Sequence, residues 1–146
     1  MMPNIQINFM AIGIAVVANF FLGYLWYTPL FGKLWAKELG LNLDQKPPAS
    51  EFIRGLIIMV VGNFLMAWVF AHNIAVWNPA TWGLPVGEMT SSSMAVPAAF
   101  FTYLGFYLPG DLSRMAWENK SLKLFAINTS YHFLSLLVAS LIISNM

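Results

Sequence analysis

Residues 122–143, LKLFAINTSYHFLSLLVASLII, form an apolar stretch that is interrupted by a run of five polar side chains at residues 128–132. The stretch is long enough to cross the hydrocarbon core of a bilayer, which takes about 20 residues of α-helix. Three further stretches approach that length, at residues 9–28, 52–71 and 91–108. Inside lipid, each must satisfy its backbone hydrogen bonds internally and is therefore predicted to be helical. The sequence thus predicts an all-α polytopic membrane protein, with one domain over residues 1–146 and four transmembrane helices in a bundle.

The overall composition supports a membrane location. Of the 146 residues, 59% are hydrophobic and only 9% are charged, whereas about 25% of a soluble domain is charged. The net charge of +1 implies no general attraction to nucleic acid. The chain has no cysteine, which excludes disulfides and thiolate chemistry. The lipid bilayer is the expected partner.

The basic residues predict the orientation of the spans. All seven Lys and Arg residues lie within residues 33–54 and 114–123. Because basic loops stay on the cytoplasmic side, loops 29–51 and 109–121 are predicted to be cytoplasmic. Both termini and the 72–90 loop are then external.

Two segments suggest an internal repeat. ANFFLGYLWYTP at residues 18–29 aligns without gaps on AAFFTYLGFYLP at residues 98–109. The repeat would relate two hairpins, 9–71 and 91–143, although two aromatic-rich apolar helices can also match by coincidence. Between the first two spans, PLFGKLWAKELG has the pattern of a short amphipathic helix that lies in the membrane interface.

Polar and small residues recur at helical spacing within the spans. Asn128, His132 and Ser135 share one helix face, with Tyr131 at its edge. Small residues allow helix backbones to approach closely, and an asparagine can then bond across the interface. This role in helix association is expected for Asn19, Gly23, Asn63, Ala67 and Ser135. The alternative for the polar residues is the lining of a ligand site.

His132 is the strongest candidate for function, because ionisable residues inside a membrane are rare and often functional. A neutral imidazole bonded to Asn128 or Tyr131 would still be purely structural. An aromatic cluster at the cytoplasmic end of the first span could form the mouth of a site. The ligand-binding hypothesis therefore comprises Asn128, Tyr131, His132, Trp26, Tyr27 and Trp35.

Several kinds of site are not expected. No Asp or Glu is predicted at mid-depth in a span, which argues against a carboxylate proton relay. Two histidines without cysteine or a nearby buried acid do not predict a zinc site, and no nucleotide-binding or hydrolase motif occurs. We therefore expect no catalytic residue, no metal and no cofactor.

Two segments resemble a known family. GYLWYTPLFGKLWAKELG at residues 23–40 and ENKSLKLFAINTSYHFLSLLVASLI at residues 118–142 are similar to the signature regions of a small bacterial membrane-protein family, the domain of unknown function 1761. Thr28 stands where that family has serine. The resemblance implies four membrane helices in the bacterial inner membrane, and it implies no activity.

These observations lead to two functional hypotheses. The first is a homo-oligomer that binds or passes a small molecule, ion or lipid through the polar seams between helices. The second is a structural or accessory membrane subunit whose polar seams serve association between helices or with a partner.

Overall fold

The computed structural model describes residues 3–88 and 90–146, and no strand occurs among them. The α-helices are α1 (Phe9–Leu25), α2 (Gly32–Glu38), α3 (Ala49–Trp77), α4 (Ser91–Thr102), α5 (Leu108–Trp117) and α6 (Leu122–Asn145). A short 3₁₀ helix, Pro79–Trp82, follows α3. The all-α prediction is therefore confirmed for the described residues.

Three helical segments are long and apolar enough to cross a membrane: Phe9–Leu30, Ala49–Trp77 and Leu122–Asn145. They contain the spans predicted at 9–28, 52–71 and 122–143. The fourth predicted span, 91–108, is not one uniform helix, because α4, a π-helical turn and α5 follow one another there. The count of four membrane spans stays a prediction.

A π-helical turn follows both α1 and α4. Trp26–Leu30 contains Pro29, and Tyr103–Tyr107 is followed by Pro109 at the start of α5. In each turn a backbone N–H bonds to the carbonyl five residues earlier, as Phe31 does to Trp26 at 2.9 Å. Proline has no N–H and disturbs the regular ladder, so an adjacent wider turn relieves the mismatch.

The two halves of the chain share one order of elements. In each half a helix, a π-helical turn, a short helix and a long helix follow one another. The short helix predicted after the first span is present as α2, whereas the second one, α5, occupies residues that the sequence analysis assigned to a loop. The shared order fits the proposed two-hairpin repeat, which stays a prediction.

Helix α6 lies at the centre of the packing. It contacts α4 and α1 most extensively, whereas α3 packs mainly against α1. Small side chains bring these helices together, since Ala15, Ala67, Ala99 and Ala139 are fully buried. Gly23 continues this seam, because a Cβ built on it would lie 3.1 Å from the hydroxyl oxygen of Tyr131 on α6. Close approach of α1 and α6 thus depends on a residue without a side chain.

We predict that Gly23→Leu destabilises the fold, because the added side chain would meet Tyr131 and force α1 away from α6. Overpacking of this kind costs about 1–3 kcal/mol. Gly13→Leu is the matched control, since Gly13 lies on the same helix and a Cβ there meets nothing within 4 Å. Thermal unfolding in detergent should show a lower Tm for Gly23→Leu than for Gly13→Leu. Equal Tm values would contradict the packing described here.

Candidate functional site

The centre of the candidate site is a carboxylate–imidazole pair between α5 and α6. Oδ2 of Asp111 lies 2.7 Å from Nδ1 of His132. The Asp111 side chain is only 7% exposed and that of His132 is 23% exposed. Burial of a carboxylate is costly unless it is paired and hydrogen-bonded. The imidazole N–H provides that hydrogen bond, and no Lys or Arg among the described residues contacts Asp111 as an ion pair.

The π-helical turn explains how Asp111 reaches α6. Ala95, Ala99, Tyr103, Tyr107 and Asp111 follow one another in steps of four residues. In an uninterrupted α-helix each such step drifts by about 40°, which would place Asp111 about 160° from Ala95. The extra residue in the π turn removes about 100° of this drift. Asp111 is thereby returned to the side of the helix that faces α6.

This finding corrects the sequence analysis. The sequence predicts a loop at Asp111 and no buried acid near His132, whereas Asp111 lies in α5 and is buried against His132. The described hydrogen-bond partner of the His132 ring is Asp111, not Asn128 or Tyr131, the two partners considered from the sequence. The signal that could have located Asp111 is Pro109, which matches Pro29 in the first half and marks a disturbed helix.

Aromatic rings surround the pair. The ring of Tyr107 lies 5.3 Å from that of His132, and the ring of Tyr131 lies 6.0 Å away. Tyr131 in turn packs edge-on against Tyr27 at 5.0 Å. The Tyr27 hydroxyl donates to Oδ1 of Asn128 at 3.0 Å. The structure thus connects four of the predicted ligand-binding residues through direct contacts.

The two tryptophans of the ligand-binding hypothesis lie at the edge of this cluster. Trp35 on α2 packs edge-on against Tyr27 at 5.4 Å. Nε1–H of Trp26 donates to the carbonyl of Ile127 on α6 at 3.0 Å. Because this bond uses the only polar group of the indole, Trp26 fastens the end of the first helix to α6.

Of the residues predicted to associate helices, some form interhelical hydrogen bonds or pack in the core, and Asn63 does neither among the described residues. Asn19 is fully buried and its Nδ2 donates to the carbonyl of Ser135 at 3.2 Å, while its Oδ1 has no described partner. The Ser135 hydroxyl donates to the carbonyl of His132 at 2.9 Å. Ala67 belongs to the core, whereas Nδ2 of the half-buried Asn63 has no described partner.

A cleft opens beside the pair. It has a volume of about 280 Å³ and lies between α5, the start of α6 and the end of α2. Asp111 and Asn128 line it, together with three charged side chains, Arg114, Glu118 and Lys120. None of these three forms an ion pair with another described residue. The cleft can therefore offer free cations and hydrogen-bonding groups to a ligand.

Comparison with known proteins agrees with the family resemblance of the two sequence segments described above. The model of the family described as "Protein of unknown function (DUF1761)" matches residues 10–144. The chain belongs to the DUF1761 family. No curated protein and no solved structure matches the chain significantly.

The matched region of this DUF1761 protein includes the Asp111–His132 pair and the cleft. The described residues bring no three His, Cys, Asp or Glu side chains together in a way that could hold a metal ion. What the pair itself offers is hydrogen bonding and a bound proton, which a carboxylate and an imidazole can share.

A double-mutant cycle tests the pair. Asp111→Leu leaves a half-buried imidazole without its partner, His132→Leu leaves a buried carboxylate without one, and the double variant removes both. Breaking a buried pair is costly, whereas replacing both partners together can be neutral. The losses in unfolding free energy of the two single variants should therefore not add up to that of the double variant. We expect a coupling free energy of about 1–3 kcal/mol in denaturant unfolding. Losses that add within about 0.5 kcal/mol would show that the two groups do not interact.

Proposed function

We propose that this DUF1761 protein binds a small solute carrying an acidic group, a carboxylate or a phosphate, in the cleft beside Asp111 and His132. The observation that carries the proposal is the pair of free cations, Arg114 and Lys120, at a cleft whose inner end is polar. Arginine and lysine hold carboxylates and phosphates through charge-assisted hydrogen bonds.

The charges of the cleft favour an anion. The carboxylate of Asp111 already accepts a hydrogen bond from His132. Its negative charge is therefore partly compensated within the protein. Among the remaining lining groups, Arg114 and Lys120 outnumber Glu118. Asn128 adds an amide at the inner end, close to the Tyr27 hydroxyl. A volume of about 280 Å³ suits a small ligand, since drug-sized molecules occupy pockets of about 300–1,000 Å³.

The proposal places this site on the cytoplasmic face of the bacterial inner membrane. Arg114 and Lys120 belong to the basic regions that the positive-inside rule keeps in the cytoplasm. Both termini and loop 72–90 are then external, and residues 91–108 form the remaining membrane span. The bacterial membrane itself is inferred from the family resemblance.

A homo-oligomer is part of the same proposal. Helix α3 buries only Ala67, Phe70, Ala71 and Ile74, all in its second half. Its first half exposes large apolar side chains, such as Phe52, Ile53 and Ile57. This surface supports contact with lipid and with a second copy. Passage of the solute through the membrane would then follow the polar seams that lead from the cleft.

A second candidate function is that of a structural or accessory subunit. It is favoured by interhelical hydrogen bonds that need no ligand, such as Tyr103 to Thr129 at 2.8 Å and the Ser140 hydroxyl to the Ala95 carbonyl at 2.7 Å. Under this alternative, Asn128→Leu and His132→Phe would abolish assembly, and no solute would bind.

We predict that small anions stabilise the protein through the cleft. Purified protein in nanodiscs is titrated with inorganic phosphate, glycerol 3-phosphate, succinate and glutamate, and the Tm is measured. At least one anion should raise the Tm, because it binds only the folded state. The double variant Arg114→Gln/Lys120→Gln should lose about tenfold or more in affinity for it, as expected for the loss of charge-assisted hydrogen bonds.

Lys46→Gln is the matched control, because Lys46 is basic and exposed but does not line the cleft. It should keep the affinity of the unmodified protein. The proposal fails if none of the four anions raises the Tm, or if the double variant and the control bind equally well.

A further inference from the structure

A second cavity lies between α3, α6 and the segment that joins α4 to α5. This apolar groove has a volume of about 240 Å³ and is lined by Met66, Val69, Phe70, Asn73, Thr102, Phe106, Tyr107 and Leu136. Only Asn73, Thr102 and the hydroxyl of Tyr107 bring polar atoms to it. In contrast to the charged cleft, this groove offers its occupant an apolar surface.

The cleft and the groove lie along one face of α6. Asn128 lines the cleft, Leu136 lines the groove, and His132 stands midway between them. Steps of four residues keep all three on one side of the helix, and the two ends are about 12 Å apart. The polar cleft and the apolar groove are thus about two helical turns apart along α6.

One lining residue of each cavity contacts His132. Asp111 on the cleft side bonds His132 at 2.7 Å, and Tyr107 on the groove side places its ring 5.3 Å from the imidazole. His132 keeps 23% of its side-chain surface exposed. His132 thus stands between Asp111 of the cleft and Tyr107 of the groove.

We infer that the ligand of the cleft is a single-chain amphiphile with an anionic headgroup. The carboxylate or phosphate lies against Arg114 and Lys120, and the alkyl chain runs past His132 into the groove. This inference rests on the proposed function and names the class of its ligand.

Two observations favour this occupant over a wholly polar solute. The cleft supplies free cations where the head would lie, and the apolar groove is lined by Leu136, two helical turns from Asn128 on the same face of α6. Burial of each methylene in such a groove is favourable. The lining of the groove contains no charged side chain that could hold a second headgroup.

Photo-crosslinking in nanodiscs tests the inference. The probes are laurate and dodecyl phosphate derivatives, each with a diazirine near the terminal methyl group, and the control probe is the corresponding dodecanol derivative. The labelled residues are located by mass spectrometry. We expect the anionic probes to label Val69, Phe70 or Phe106 about tenfold more than the alcohol does, because the headgroup holds the chain in place. The laurate and phosphate arms distinguish the two sources of the acidic group.

Matched variants separate the groove from the general lipid surface. Val69→Trp fills the groove and should lower labelling by the anionic probes about tenfold, since the chain can no longer be buried. Val61→Trp adds the same side chain to an exposed position of α3 outside the groove and should leave labelling unchanged. Arg114→Gln/Lys120→Gln should reduce labelling of the groove although neither residue lines it.

The inference is overturned if the alcohol labels the groove as strongly as the anions, or if Val69→Trp and Val61→Trp behave alike. The small-anion titration distinguishes this failure from that of the proposed function. If small anions still bind through Arg114 and Lys120 while the groove stays unlabelled, the cleft is a site for a polar solute. If neither small nor long-chain anions bind, both proposals fail together.

Discussion

Inside a bilayer, a polar side chain must find its partner within the protein, because lipid offers none. This constraint shapes α6, whose polar run lies between two other helices. Thr129 bonds Tyr103, Ser135 is joined to Asn19, and the Ser140 hydroxyl bonds the Ala95 carbonyl. Ser130 bonds back to the carbonyl of Ala126 in its own helix. Polar groups of α6, in the run at residues 128–132 and C-terminal to it, thus contact α1, α4 and the turn after α4.

Within the run at residues 128–132, His132 is the only ionisable side chain with a charged partner. Its partner is a carboxylate, Asp111, which is itself buried. Such a pair is not needed for stability, since an apolar pair of similar volume can pack equally well or better. Asp111 also lines the charged cleft, so the pair lies beside the ligand site that we propose. The aromatic rings of Tyr107 and Tyr131 lie next to the imidazole.

Much of the fold follows from local properties of the sequence. The length of the apolar stretches is enough to locate three long helices, and the spacing of Asn19 and Gly23 with small neighbours indicates the buried face of α1. The close contacts among Tyr27, Asn128 and Tyr131 also agree with the grouping made from sequence. These features depend on hydrophobicity and helical periodicity, both of which can be read directly.

Asp111 could not be predicted by the same rules. A regular period of 3.6 residues places it away from α6, and only the wider π-helical turn at Tyr103–Tyr107 returns it to that side. Charge alone favoured a loop assignment, since Arg114, Glu118 and Lys120 follow closely. The cleft and the groove depend on contacts among helices that are distant in sequence. They could be recognised only once those helices were assembled.

The most direct test of the central claim is the ¹⁵N NMR spectrum of the two histidines, recorded with uniformly ¹⁵N-histidine-labelled protein in nanodiscs. The chain contains only His72 and His132, and His72 bonds the carbonyl of Trp68 away from the site. Asp111→Asn should shift the Nδ1 resonance of His132 strongly and leave that of His72 unchanged, whereas Glu118→Gln in the same cleft should affect neither strongly. An unchanged His132 resonance in Asp111→Asn would contradict the pairing on which the proposed site depends.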